Sequence, residues 1–152
     1  MSVAFFQDYI RNNHCFGCAP GNPHGFRIKS AWQAPGEAVC RFTPREFHCS
    51  ASPDIVNGGV IAALIDCHCV CTAIADAYRR DGRNVGEGAE IMYVTAALNV
   101  SYKKPTPLGP TLTLTAVIEE TTPKKTVLRC SLHIDDTVYV EADVTAVRIT
   151  RQ

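Results

Sequence analysis

Residues 57–78 read NGGVIAALIDCHCVCTAIADAY, and this stretch decides the fold. It follows a polar loop (FHCSASPDIV, 47–56), is dominated by helix-favouring apolar residues, and gives way to polar residues at 79–84. The pattern predicts one helix of about five turns. A helix apolar nearly all round is stable only when the rest of the chain encloses it.

The flanking sequence supplies the enclosure. Upstream, apolar and polar residues alternate around Phe26 and Ile28 and again at 38–42, separated by Pro35 and Gly36, which predicts two short antiparallel strands and a turn. Downstream, stretches rich in Val, Thr and Ile at 97–103, 111–118, 127–134 and 138–149 predict four longer strands, with Asp135 and Asp136 forming a tight hairpin. Before all of these, Phe5, Phe6, Tyr9 and Ile10 suggest a short helix, and HCFGCAPGNPHGF (14–26) an ordered loop. The expected class is α+β, an antiparallel β-sheet wrapped around one long central helix, with residues 1–152 as a single domain.

Composition narrows the function. A chain of 152 residues buries roughly 70% of its unfolded surface and needs neither disulfide nor metal to make a core. Fifteen basic residues balance 15 acidic ones, which argues against nucleic acid or an anionic membrane as a partner. Residues 1–7 (MSVAFFQ) lack the basic and long apolar regions of a leader, so the cytoplasm is the expected compartment. Eight cysteines are many, yet in such a chain a disulfide framework is not expected. On a helix Cys67 and Cys71 share a face and Cys69 points elsewhere, so the three read as small apolar packing residues.

Asp66 is the most informative residue, because an ionised carboxylate inside VIAALIDC costs several kcal/mol unless it is paired or hydrogen-bonded. Its helical face carries Gly59, Ala62, Ala63, Cys69 and Ala73, small residues that admit another backbone or a ligand. Asp66 is therefore either a site residue or a carboxylate that caps a neighbouring segment or reaches solvent at the edge of the helix. Asp76, nearer the polar end, is expected to be solvated. At the helix start, Asn57, Gly58 and Gly59 present backbone N–H groups without intrahelical partners, a geometry that can stabilise the oxyanion of acyl transfer. The alternative is an N-cap by Asn57 with the glycines serving only a tight turn.

Cys15 and Cys18 form a C-x-x-C pair beside His14. A structural zinc site needs four ligands, and neither His24, Cys40, His48 nor Cys49 makes a clean second pair, so no metal is expected and a zinc-built interaction domain is an outside reading. The lysine pairs Lys103, Lys104 and Lys124, Lys125 read as solvated strand-end charges. Either pair can also meet the phosphates of a coenzyme A ester.

Three segments together resemble hotdog-fold thioesterases of the phenylacetate-pathway type, in the broad 4-hydroxybenzoyl-CoA thioesterase group. IVNGGVIAALID resembles the signature V-H-G-G-x-x-x-x-L-x-D, ALNVSYKKPTPLG resembles L-x-V-x-Y-x-x-P-x-x-x-G, and NHCFGCAPGNPHGFRI resembles the opening C-F-G-C-G-x-x-N-P-x-G-L. The resemblance implies a five-stranded sheet around a helix from about Gly58 to Tyr78, an edge-to-edge homodimer that can pair into tetramers, and active sites at the dimer interface. It implies hydrolysis of an acyl-CoA thioester, with coenzyme A as part of the substrate and no separate cofactor. Asp66 then serves as nucleophile or general base, the Gly58 N–H polarises the carbonyl, and Gly59 completes the turn beside the substrate. Asn57 takes the catalytic place of the signature's His but departs from it: a neutral amide stands there that can still donate a hydrogen bond and cannot shuttle a proton. His68, two residues past Asp66, faces elsewhere and reads as a packing or surface histidine. The other outcome of the resemblance is a hotdog protein that binds an acyl-CoA or acyl carrier without hydrolysing it.

Overall fold

The alternating segments become six strands in the computed structural model, which describes residues 3–151; Met1 and Ser2 of the leader comparison, and Gln152, lie outside it. They are β1 (Ser30–Ala34), β2 (Glu37–Phe42), β3 (Met92–Tyr102), β4 (Leu112–Thr121), β5 (Lys125–Ile134) and β6 (Thr137–Ile149). All pair antiparallel in the order β1-β2-β4-β5-β6-β3, leaving β1 and β3 as the edges. The count matches the alternation, two short strands and four long ones, and adds one to the five that the family resemblance implies. Asp135 takes a left-handed φ of 51° between the paired ends Ile134 and Thr137, making the expected tight hairpin.

The central helix, α1, spans Gly58–Arg80, 23 residues, slightly longer than its apolar run. Asn57 caps its start, and Gly82 ends it with a φ of 70°, a conformation that glycine adopts without penalty. Arg79 and Arg80 in the last turn complement the helix dipole. By length and composition α1 is apolar enough to cross a bilayer, but here the sheet and the N-terminal segment cover most of it.

The sheet receives α1 on a row of small side chains. Ala38, Ala116, Cys130 and Ala142 lie side by side across β2, β4, β5 and β6, all buried. Rows of larger residues flank them, Leu114, Leu132 and Val140 on one side and Leu128 and Val144 on the other. The helix therefore sinks into a groove between ridges, with Cys69 buried over Cys130, so Cys69 is the small packing residue its spacing suggested.

His68 adds a polar tie. Its Nε2–H donates to the Ala38 carbonyl (3.2 Å) and its Nδ1 accepts from the Ser30 hydroxyl (2.8 Å). Ser30 accepts from Gln7 Nε2 (2.9 Å) and returns its own N–H to Gln7 Oε1 (2.7 Å). All three side chains are buried, so this satisfied network fixes β1 and the segment around Gln7 onto α1. Burial pushes the imidazole pKa down to about 4, leaving it neutral.

Three expectations are corrected. The predicted N-terminal helix contracts to one 3-10 turn, Phe6–Asp8, which has no side-chain cap to extend it. The first strand begins at Ser30 rather than near Phe26, because Arg27 adopts a left-handed φ of 53° and Phe26 packs against Phe16 and Phe42 instead. Asp76 is not solvated but buried, and it pairs with Arg79 (2.7 Å) and Arg80 (2.9 Å) one turn along the same helix.

Candidate active site

Two loops pin the start of α1. Asn57 N donates to His48 O (2.9 Å) and Val56 N to Thr106 O (2.9 Å), so the chain enters the helix held on both sides. Asn57 Oδ1 then accepts from Val60 N (3.1 Å), and the Asn57 carbonyl accepts from Ile61 N (3.2 Å). Of the four N–H groups that begin a helix, those of Gly58 and Gly59 are left with no protein acceptor among the described residues. Asn57 thus does what its capping alternative requires, and the glycine donors stay available as the oxyanion alternative requires.

Tyr102, at the end of β3, leans over this terminus. Its hydroxyl donates to the Gly58 carbonyl at 2.6 Å, fixing the peptide that follows the Gly58 N–H, and partial burial raises its pKa. Lys103 and Lys104 follow directly, and with Gly58 and Tyr102 they line a hollow of about 290 Å³. Lys124 and Lys125 lie at the opposite end of the sheet, beside Arg148 and Val147. Only the first lysine pair adjoins the helix start.

Asp66 stands two turns further along α1, half-buried. Thr95 of β3 donates its hydroxyl to Asp66 Oδ1, so the carboxylate is hydrogen-bonded, as its place in an apolar run demands. Both residues open onto a pocket of about 380 Å³ whose walls are mainly apolar, including Val70, Ile74 and Met92 from α1 and β3. Gly59 lies near the helix start with its surface exposed, and His68 is on the far, buried face.

Residue spacing missed Thr95 and left Tyr102 without a role. Tyr102 was visible inside ALNVSYKKPTPLG as the tyrosine of that pattern, whereas Thr95 carried no signal. Both reach α1 because β3 has a bulge between Thr95 and Ala97. The extra residue shifts the alternation, so that Thr95 and Tyr102, of opposite parity in sequence, face the same way.

Residues 54–141 match the sequence profile of the thioesterase superfamily, a span that contains Asn57, Gly58, Asp66, Thr95, Tyr102 and Lys103. The chain belongs to the thioesterase superfamily. No functionally curated protein matches it closely. A thioesterase superfamily protein from Shewanella loihica is 32% identical over 91% of this chain and 96% of its own, with a TM-score of 0.66. Two further structures share the fold at lower identity. One is the PaaI protein of the phenylacetic acid degradation operon of E. coli (17% identity, 82% of this chain and 81% of its own, TM-score 0.65). The other is a phenylacetic acid degradation-related protein from Ralstonia eutropha (17%, 95% and 99%, TM-score 0.69). The superfamily match and the shared fold bear out the hotdog architecture, which these phenylacetate-related structures also have, and the superfamily makes a thioester the expected kind of substrate. In this thioesterase-superfamily chain, the loop carrying Cys15 and Cys18 lies outside the matched span.

Proposed function

We propose that this chain hydrolyses acyl-CoA thioesters to the free acid and coenzyme A, with Asp66 as nucleophile or general base and the Gly58 N–H as oxyanion donor. The observation that carries the reading is a carboxylate held by Thr95 at a pocket wall, on a helix whose first two N–H groups are unspent. Attack on the carbonyl carbon, by Asp66 or by a water that Asp66 deprotonates, places negative charge on the carbonyl oxygen. A backbone N–H at a helix N-terminus stabilises that charge, and the C–S bond then breaks to expel the coenzyme A thiolate, which takes up the proton Asp66 removed from water or, where Asp66 is the nucleophile, one from solvent. If Asp66 is the nucleophile, water next hydrolyses the acyl anhydride. Lys103 and Lys104, beside Gly58, meet the coenzyme phosphates.

One copy alone does not complete this site. Eight residues of helix separate Gly58 from Asp66 by about 12 Å along the axis. Oxyanion donor and attacking group must each stand about 3 Å from one reacting carbonyl. A second copy closes the gap, Asp66 acting with Gly58 of the partner subunit. β3 favours that assembly, because it is a long edge strand with Val94, Leu98 and Tyr102 exposed along it, and such edges are normally paired or covered. We place the homodimer, or a dimer of dimers, in the cytoplasm, where eight unpaired thiols are in keeping with a reducing environment.

A second reading has its own support. Asn57 replaces the imidazole of the family pattern and spends its oxygen on the helix cap, which favours a protein that binds acyl-CoA or acyl carrier without turnover. The deciding experiment follows loss of thioester absorbance over aryl, short and medium acyl-CoAs, for the natural protein and Asp66→Asn. Thiol-trapping dyes are avoided because eight cysteines would react. Turnover that vanishes in Asp66→Asn supports hydrolysis. Saturable binding without turnover across the panel overturns it in favour of the binder.

A further inference from the structure

The loop and helix cysteines that spacing alone did not pair come together in space. The sulfurs of Cys15, Cys18 and Cys67 lie mutually within 4.8 Å, and Cys15 Sγ is 3.6 Å from Cys67 Sγ. Three thiolates on one tetrahedral zinc, each about 2.3 Å from the metal, sit about 3.8 Å from one another. Cys71, one turn beyond Cys67 on the same face, adjoins Cys18 but lies outside this mutual cluster, so its sulfur would have to turn inward to serve as a fourth ligand. The sequence therefore does contain two close pairs, C-x-x-C in the loop and C-x-x-x-C on α1.

The surroundings suit thiolates. Gly17 N donates to Cys15 Sγ (3.3 Å) and Asn13 Nδ2 to Cys18 Sγ (3.4 Å), bonds that offset negative charge on metal-bound sulfur and orient it. Ala19 N closes the loop onto the Cys15 carbonyl (3.0 Å). A Cβ on Gly17 would come within 2.2 Å of Cys67 Sγ, so glycine is what lets the loop descend onto the helix at this point. Cys18 and Cys67 are buried, while Cys15 stands at the solvent side.

We propose that Cys15, Cys18 and Cys67, with Cys71 as the fourth sulfur, hold one thiophilic divalent metal ion of the zinc class. A tetrahedral all-sulfur set selects zinc over the hard, oxygen-seeking cations. Binding releases the thiol protons to solvent and replaces packing contacts with metal–sulfur bonds between residues 13–18 and α1. Cys67 follows Asp66 directly, so the metal would fasten one wall of the Asp66 pocket. The site does not depend on hydrolysis and stands or falls separately from it.

The test is elemental analysis of the natural protein purified with a non-thiol reductant and no added metal, followed by cobalt(II) titration of the metal-stripped protein. The expected result is about one zinc per chain, and with cobalt a thiolate charge-transfer absorption that saturates at about one equivalent. Cys15→Ser, at the solvent side and so the variant safest for folding, and Cys18→Ser should lose most of the bound metal. Cys40→Ser, buried elsewhere in the sheet, should keep it. Absence of both zinc and the cobalt band, unchanged metal in Cys15→Ser and Cys18→Ser, or a Cys15–Cys67 disulfide in metal-free natural protein would each overturn the proposal.

Discussion

Thr95 and Tyr102 lie an odd number of residues apart on β3, yet both hydrogen-bond to α1, Thr95 to the Asp66 carboxylate and Tyr102 to the Gly58 carbonyl. In a regular strand they would face opposite sides of the sheet. The bulge beside Thr95 turns the strand so that one edge of the sheet contacts both the carboxylate and the N-terminal end of the helix.

Thr95 is a positioning residue in this arrangement, since it holds Asp66 rather than the substrate. Thr95→Val, which keeps the shape and removes the donor, is expected to lower kcat/KM by about 10- to 100-fold, the worth of a hydrogen bond to a charged group. Thr95→Ser should recover most of the loss. Steady-state kinetics on the best acyl-CoA, with thermal melting as a control for folding, checks both.

The Asn57 cap makes a separate claim about stability. Asn57→Ala removes the acceptor for Val60 N and should cost about 1 kcal/mol, whereas Asn57→Asp should retain the cap. Urea unfolding of the two variants beside the natural protein reads the difference. Equal midpoints for all three would show that the cap bond contributes nothing.

The buried, neutral His68 ties stability to pH. Its pKa in the folded chain is about 4, below the ordinary histidine value of about 6.5, so the unfolded chain takes up a proton first as pH falls. His68 therefore imposes no penalty above pH about 6.5, and stability is lost progressively as pH drops from there toward 4, by up to about 3 kcal/mol. Urea midpoints at several pH values across this window should fall for the natural protein and fall less for His68→Gln.

Asp76 is a buried carboxylate on the helix, held by Arg79 and Arg80. Asp76→Asn weakens its contacts to Arg79 and Arg80 and is expected to cost about 1–3 kcal/mol without altering acyl-CoA turnover, because the pair lies at the far end of α1 from Gly58. Denaturant melts and kinetics on the same preparation test the two halves of that expectation.

Hydrophobic periodicity determined much of this protein. An apolar run too long for a strand had to be a buried helix, alternating segments had to be strands around it, and a carboxylate inside the run had to find a partner, since an ionised group in an apolar setting is costly. These are local constraints, legible because side-chain direction repeats with a fixed period. Tertiary structure decided the rest. A single extra residue in β3 sets which side chains meet Asp66 and Gly58, and nothing in the composition of that strand announces it. The burial of Asp76 depends on where the helix end meets its surroundings, and the meeting of Cys15 and Cys18 with Cys67 depends on how a glycine loop lands on α1. Each is a contact between segments distant in sequence, fixed by packing geometry rather than by the preference of any one stretch of chain.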